Sequence, residues 1–81
     1  MPRTNEDIEA DAVNWARDMR ARGRNVEALT NRASTSAANA RTALARAKQN
    51  DDDAGGFEYV TRQIGKRKWL AFRVTRPMPT D

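Results

Sequence analysis

Apolar residues in the first quarter of the chain recur at helical intervals. Ile8, Ala12, Trp15, Ala16 and Met19 form one stripe of a helix predicted over residues 5–22. Thr4 followed by Asp7 has the spacing of a capping box, and Glu6, Asp7 and Glu9 suit the positive end of a helix dipole. Gly23 stands where a C-cap is expected. A second, short helix is predicted over 25–33, with Asn25 as N-cap and Val26, Leu29 and Ala33 on its buried side. Ser34-Thr35-Ser36 interrupts that pattern, because small hydroxyl residues favour caps and turns. Ser36 caps a third helix over 36–50, with Ala37, Ala40, Leu44 and Ala47 as its buried stripe. Asp51-Asp52-Asp53-Ala54-Gly55-Gly56 then forms a loop.

Beyond residue 56 the apolar residues become aromatic and β-branched, the mark of strands. Residues 57–64 and 68–75 read as an antiparallel hairpin joined by a turn within Gly65-Lys66-Arg67-Lys68. A two-residue turn at Lys66-Arg67 places Tyr59, Leu70, Phe72 and Val74 on one face and Val60, Ile64 and Trp69 on the other. A three-residue turn changes that assignment, and both registers stay open. Residues 1–76 read as a single domain and 77–81 as a mobile tail.

Composition narrows the class. Of the 81 residues, 38% are hydrophobic and 32% charged, which suits a small globular domain. Fourteen of the hydrophobic residues are Ala, so a thin core is expected and function should lie on the outside. No run is long enough for a membrane span, and the N-terminal MPRTNEDIEADA has no signal-like apolar region, so a cytoplasmic protein is expected. Without Cys there are no disulfides, thiolate nucleophiles or Cys-type zinc sites. Without His the chain lacks the usual acid–base catalyst near neutral pH. The expectation is a protein that is not an enzyme and holds no cofactor or metal.

Charge then points to a partner. The chain has 15 Lys+Arg against 11 Asp+Glu, for a net +4. Residues 1–19 are acidic, residues 20–50 carry a single acid (Glu27), 51–59 are acidic again, and 60–76 contain no acid at all. If folding joins the two basic blocks, they form a positive face suited to phosphate backbones. On the helix over 36–50 the side opposite the apolar stripe carries Thr35, Ala38, Thr42, Ala45, Arg46 and Gln49, flanked by Asn39 and Arg41, with no acid. Such a helix can enter a major groove, and its N-terminal half normally goes deepest.

The order helix, short helix, tight turn, longer helix, basic hairpin resembles a winged helix-turn-helix domain. Ser36, Arg41, Ala43, Leu44 and Arg46 are similar to the recognition helix of bacterial GntR-type regulators, in which a capping Ser precedes Arg and then Ala-Leu-x-Arg. The match covers about a quarter of the chain. The chain departs from it in having Ala33-Ser34 where the turn carries Gly, and Ala40 and Ala47 where larger aliphatics are usual. No effector domain of the kind such regulators append is expected here, and so no small-molecule effector. The resemblance implies an α+β fold, a three-helix winged helix-turn-helix with a C-terminal two-stranded β-hairpin wing.

It also implies binding of double-stranded DNA through Thr35, Ser36, Ala38, Asn39, Arg41, Thr42 and Arg46. Arg24, Arg32 and the wing residues Lys66, Arg67 and Lys68 complete the expected site. Asn39 could read adenine, Arg41 guanine, and Ala38 a thymine methyl. The alternative for Arg41 is a salt bridge to Asp11 or Asp18, and for the tip an edge-protecting charge cluster. The expected role is a sequence-specific transcriptional regulator, such as a repressor, bound as a homodimer at the nucleoid. Size and Arg/Ala richness suggest a phage or mobile-element origin. Two other roles are an architectural or excisionase-type factor and a protein-interaction module that inhibits a host protein.

Overall fold

A computed structural model describes residues 4–77. They form an α+β domain of two helices and a three-stranded antiparallel sheet, with elements α1 (Asn5–Ala21), β1 (Val26–Ala28), α2 (Ala37–Asn50), β2 (Phe57–Gly65) and β3 (Lys68–Thr75). A single 3-10 turn, Ala54–Gly56, leads into β2. The sheet order is β1-β3-β2. Of the expected mobile tail, residues 78–81 lie outside the described residues.

Both helices begin and end as their caps dictate. Thr4 Oγ1 accepts the Asp7 amide at 3.1 Å while the Asp7 carboxylate accepts the Thr4 amide, closing the capping box. At the other end Gly23, at φ +77°, lets the amides of Gly23 and Arg24 reach the carbonyls of Arg20 and Met19, both at 3.0 Å. Ser36 caps α2 by accepting the Asn39 amide at 3.2 Å. Ala40 is fully buried, Ala37, Leu44 and Ala47 are half-buried, and Ala38, Thr42, Ala45, Arg46 and Gln49 are exposed, as the periodicity requires.

The predicted helix over 25–33 is not formed. Residues 26–28 are instead an edge strand, paired Val26↔Val74 and Ala28↔Phe72, and 29–35 are irregular apart from one bridge, Ser34↔Trp69. A nine-residue helix is marginal in isolation. The other edge of β3 offers it better partners: Asn25 O accepts from Thr75, Leu29 N donates to Ala71 O at 2.9 Å, and Ser34 and Trp69 exchange two bonds at 2.7 and 2.8 Å. Asn25 is no N-cap; its amide donates to Thr75 Oγ1 at 2.9 Å. Between Ala28 and Ser34 the chain loops outward, and Thr30 Oγ1 donates to the Arg32 carbonyl. The three-helix arrangement is thereby replaced by two helices and a third strand.

The hairpin turns on Lys66-Arg67, yet its faces differ from the simple two-residue register. An extra residue at Ile64, between the pairs Gln63↔Trp69 and Gly65↔Lys68, bulges β2 and shifts everything beyond it by one place. Val60, Arg62 and Ile64 therefore share a face with Leu70, Phe72 and Val74, while Tyr59 joins Trp69 and Arg73 on the other. Arg67 holds the left-handed turn position at φ 54°.

The helices lie on opposite faces of the sheet. On one face α1 places the Trp15 ring 5.2 Å from Phe72, with the Arg62 guanidinium 4.9 Å from the indole centre. On the other, the C-cap of α2, Asp51, binds Tyr59 and Arg73. The core is thin: among the described residues only Ile8, Ala40, Ala71 and Val74 are buried hydrophobics, and Val74 is the largest that is fully enclosed. Trp15 and Trp69 are both half-buried.

Candidate functional site

The start of α2 and the hairpin turn meet at one end of the molecule. Trp69, adjacent to Lys68, is bonded to Ser34, which lies two residues before the α2 cap. Thr35 and Ser36, which follow the Ser34 bridge, and the triplet Lys66-Arg67-Lys68 thus lie at the same end of the sheet. A second link fixes the turn from the α1 side, where the Lys66 amide donates to Asn5 Oδ1 at 2.6 Å. The C-terminus of α2 lies at the far end, and Asp51-Asp52-Asp53 with it.

From that shared end the exposed face of α2 presents Ala38, Asn39, Arg41, Thr42 and Arg46 to solvent. Arg32 is exposed on the outward loop before Ser34. Arg32, Arg41, Arg46, Lys66, Arg67 and Lys68 make no ion pair among the described residues. The salt bridge considered for Arg41 is not made: Asp18 pairs with Arg22 at 3.3 Å, and α1 occupies the other face of the sheet. Two of the expected residues are partly committed already. The Ser36 hydroxyl accepts the Asn39 amide, and Thr42 Oγ1 donates to the Ala38 carbonyl at 3.1 Å.

Arg24 is not brought to this group. It is half-buried at the opposite end of the sheet, where Nε donates to the Thr75 carbonyl at 2.8 Å and the guanidinium pairs with Glu58 at 2.8 Å. Its work is to join the α1–β1 connection to the end of β3. Sequence reasoning missed Lys48, exposed on α2 with its ammonium 6.0 Å from the Tyr59 ring centre, and Asn5, which positions the turn. Lys48 belonged to the same basic block, whose single acid is Glu27, and could have been found there. The role of Asn5 depends on a partner 61 residues away and left no local signal.

Beside the C-terminus of α2 one cation bridges two acids. Arg73 binds Glu27 at 2.5 Å and Asp51 at 2.8 Å, and Tyr59 donates its hydroxyl to Asp51. The Tyr59 and Arg73 bonds hold the Asp51 carboxyl below its ordinary range, and Arg73 is raised by its bonds to Glu27 and Asp51. Partial burial first, and the Asp51 bond second, push the Tyr59 phenol up to about 12. A depressed carboxyl stabilises the fold above its unfolded pKa and loses that contribution as pH falls through the folded value. A raised phenol stabilises below its unfolded value near 10 and loses that contribution as pH rises toward 12. Because Tyr59 is the single tyrosine, ultraviolet titration reads it alone. The expected midpoint is near pH 12, moving part of the way back toward 10 in Asp51→Asn; an unchanged midpoint in that variant would show that the carboxylate contributes nothing.

Among the described residues no group of acids could hold a metal ion, and no helix is long and apolar enough to cross a membrane. Comparison with family models, curated proteins and solved structures gave no match.

Proposed function

We propose that this chain binds double-stranded DNA, with the outer face of α2 against the major groove and the Lys66–Lys68 turn on the backbone or in the minor groove, as a sequence-specific transcriptional regulator. The mode is winged-helix-like in a two-helix form: α2 plays the groove helix and the turn plays the wing. One observation carries the reading. The N-terminal half of α2, with Arg41, and the turn cations Lys66, Arg67 and Lys68 share one end of the sheet, while the Asp51–Asp53 run lies at the far end and α1, with its acidic first turn, packs on the opposite face.

The chemistry is that of phosphate recognition with a readout option. Lys and Arg without internal partners cost little to bring onto phosphates, since no ion pair is broken. Small residues at Ala38 and Ala45 allow close approach to the groove floor; the Asn39 amide offers a donor and an acceptor and the Arg41 guanidinium a fork of donors, the groups that read base edges. Arg32 extends the basic surface along the β1 edge.

Selection of bound fragments from random duplexes, followed by footprinting and a salt titration, tests the proposal. A bounded footprint is expected, with log affinity falling against log salt with a slope of about −4 to −5 for roughly five neutralised phosphates. A cooperative, spreading footprint would replace the regulator by the architectural factor. Absence of salt-sensitive binding even at low ionic strength would remove DNA as the partner.

A further inference from the structure

We propose that the open groove between α1 and the sheet, on the face opposite α2, is a self-association surface, closed by a second copy of this chain whose α1 lies antiparallel to the first. The groove encloses about 490 Å³ and is walled by Ala12, Val13 and Ala16 on one side and Ile64, Leu70 and Phe72 on the other. Val13, on its rim, is the large hydrophobic residue left most open, at 54% exposure. A chain with so few enclosed side chains gains most by covering this strip, and Ala12 and Ala16 let a second helix approach closely.

Charge selects the occupant and its direction. Glu9 stands at one end of the groove and Arg20 at the other, 11 residues or about 16 Å apart along the helix. The Glu9 carboxylate accepts one bond from Asn5 Nδ2 at 3.1 Å, and Arg20 makes no ion pair among the described residues. A two-fold axis through the middle of the strip sets Glu9 of each copy against Arg20 of the other, the self-complementary pattern an isologous interface requires. Beside the groove Glu6 near the helix start and Arg17 near its end have the same sense, while Asp7, Asp11, Asp18 and Arg22 lie on the side of the helix away from it. An antiparallel pair sets Glu9 against Arg20 at both ends of the groove; a parallel pair would set Glu9 against Glu9 and Arg20 against Arg20.

Self-association here does not depend on DNA binding. If the proposed function also holds, the two α2 faces point away from one another. The pair would then join two duplex segments instead of gripping adjacent half-sites on one.

Sedimentation velocity across micromolar concentrations tests the surface. The wild-type chain is expected at twice its 9.1 kDa mass. Glu9→Arg and Arg20→Glu should each give a monomer, and the two together should restore the dimer, because the charges are exchanged and not removed. Val13→Asp, at an exposed position, should give a monomer whose circular dichroism matches that of the wild type. A wild-type chain that stays monomeric, single reversals or Val13→Asp that remain dimeric, or a double reversal that stays monomeric would overturn the proposal. A DNA-binding failure with the dimer intact leaves it standing.

Discussion

Replacing Lys66, Arg67 and Lys68 together by Ala is expected to weaken binding to specific and random duplexes alike, by about 10²–10³-fold at low salt. The salt slope should shrink by about 2.7, the share of three phosphate contacts. All three side chains are exposed, so the fold should survive. Arg67→Gly supplies a sharper control. It removes one charge while relieving the left-handed turn position at φ 54°, so stability should hold or rise as affinity falls. Arg41→Ala should behave differently. If Arg41 reads a base edge, its loss should relax discrimination at one position by about 1–3 kcal/mol while affinity for random duplex changes little. Competitive binding against random duplex, repeated across salt concentrations, separates the two outcomes. Equal losses on specific and random DNA for Arg41→Ala would withdraw the groove role of α2.

The largest stability effect is expected at Trp15. Truncating a fully buried Trp costs about 3–5 kcal/mol, and the half-buried Trp15 should cost about 2–3. A domain of this size is stable by only about 4–12 kcal/mol, so Trp15→Ala should lower Tm by about 10–20 °C. The reason is local. The ring fills the contact between α1 and Phe72 and is the platform for Arg62, and no larger apolar residue on α1 can replace it. Calorimetry measures the loss, and Trp69, the remaining tryptophan, reports unfolding by fluorescence. A Tm within 3 °C of wild type would mean that α1 is held by its caps and ends more than by this contact.

What could be read from the chain without coordinates was local. The Thr4–Asp7 capping box, the Gly23 stop, the Ser36 cap and the buried stripe Ala37, Ala40, Leu44, Ala47 depend on neighbours within a turn or two, and each is present. The strand at Val26–Ala28 escaped because its partners, Val74 and Phe72, are more than 40 residues away and its spacing also fits a short helix. The bulge at Ile64 escaped because one added residue changes no local preference while turning Tyr59 to the opposite face. The site was legible to the same degree. Exposure of Arg41, Arg46 and the turn cations follows from periodicity and charge, whereas the commitment of Arg24 to Glu58 and Thr75 is a tertiary fact.

The bond from the Lys66 amide to Asn5 Oδ1 makes one exchangeable proton a reporter of two elements at once. That proton is shielded only while the first residue of α1 stays folded and the turn stays docked beside it. Its hydrogen–deuterium exchange should therefore slow when anything clamps the turn and quicken when the helix start frays. Asn5→Ala would disconnect the two readings, so the proton would follow the turn alone.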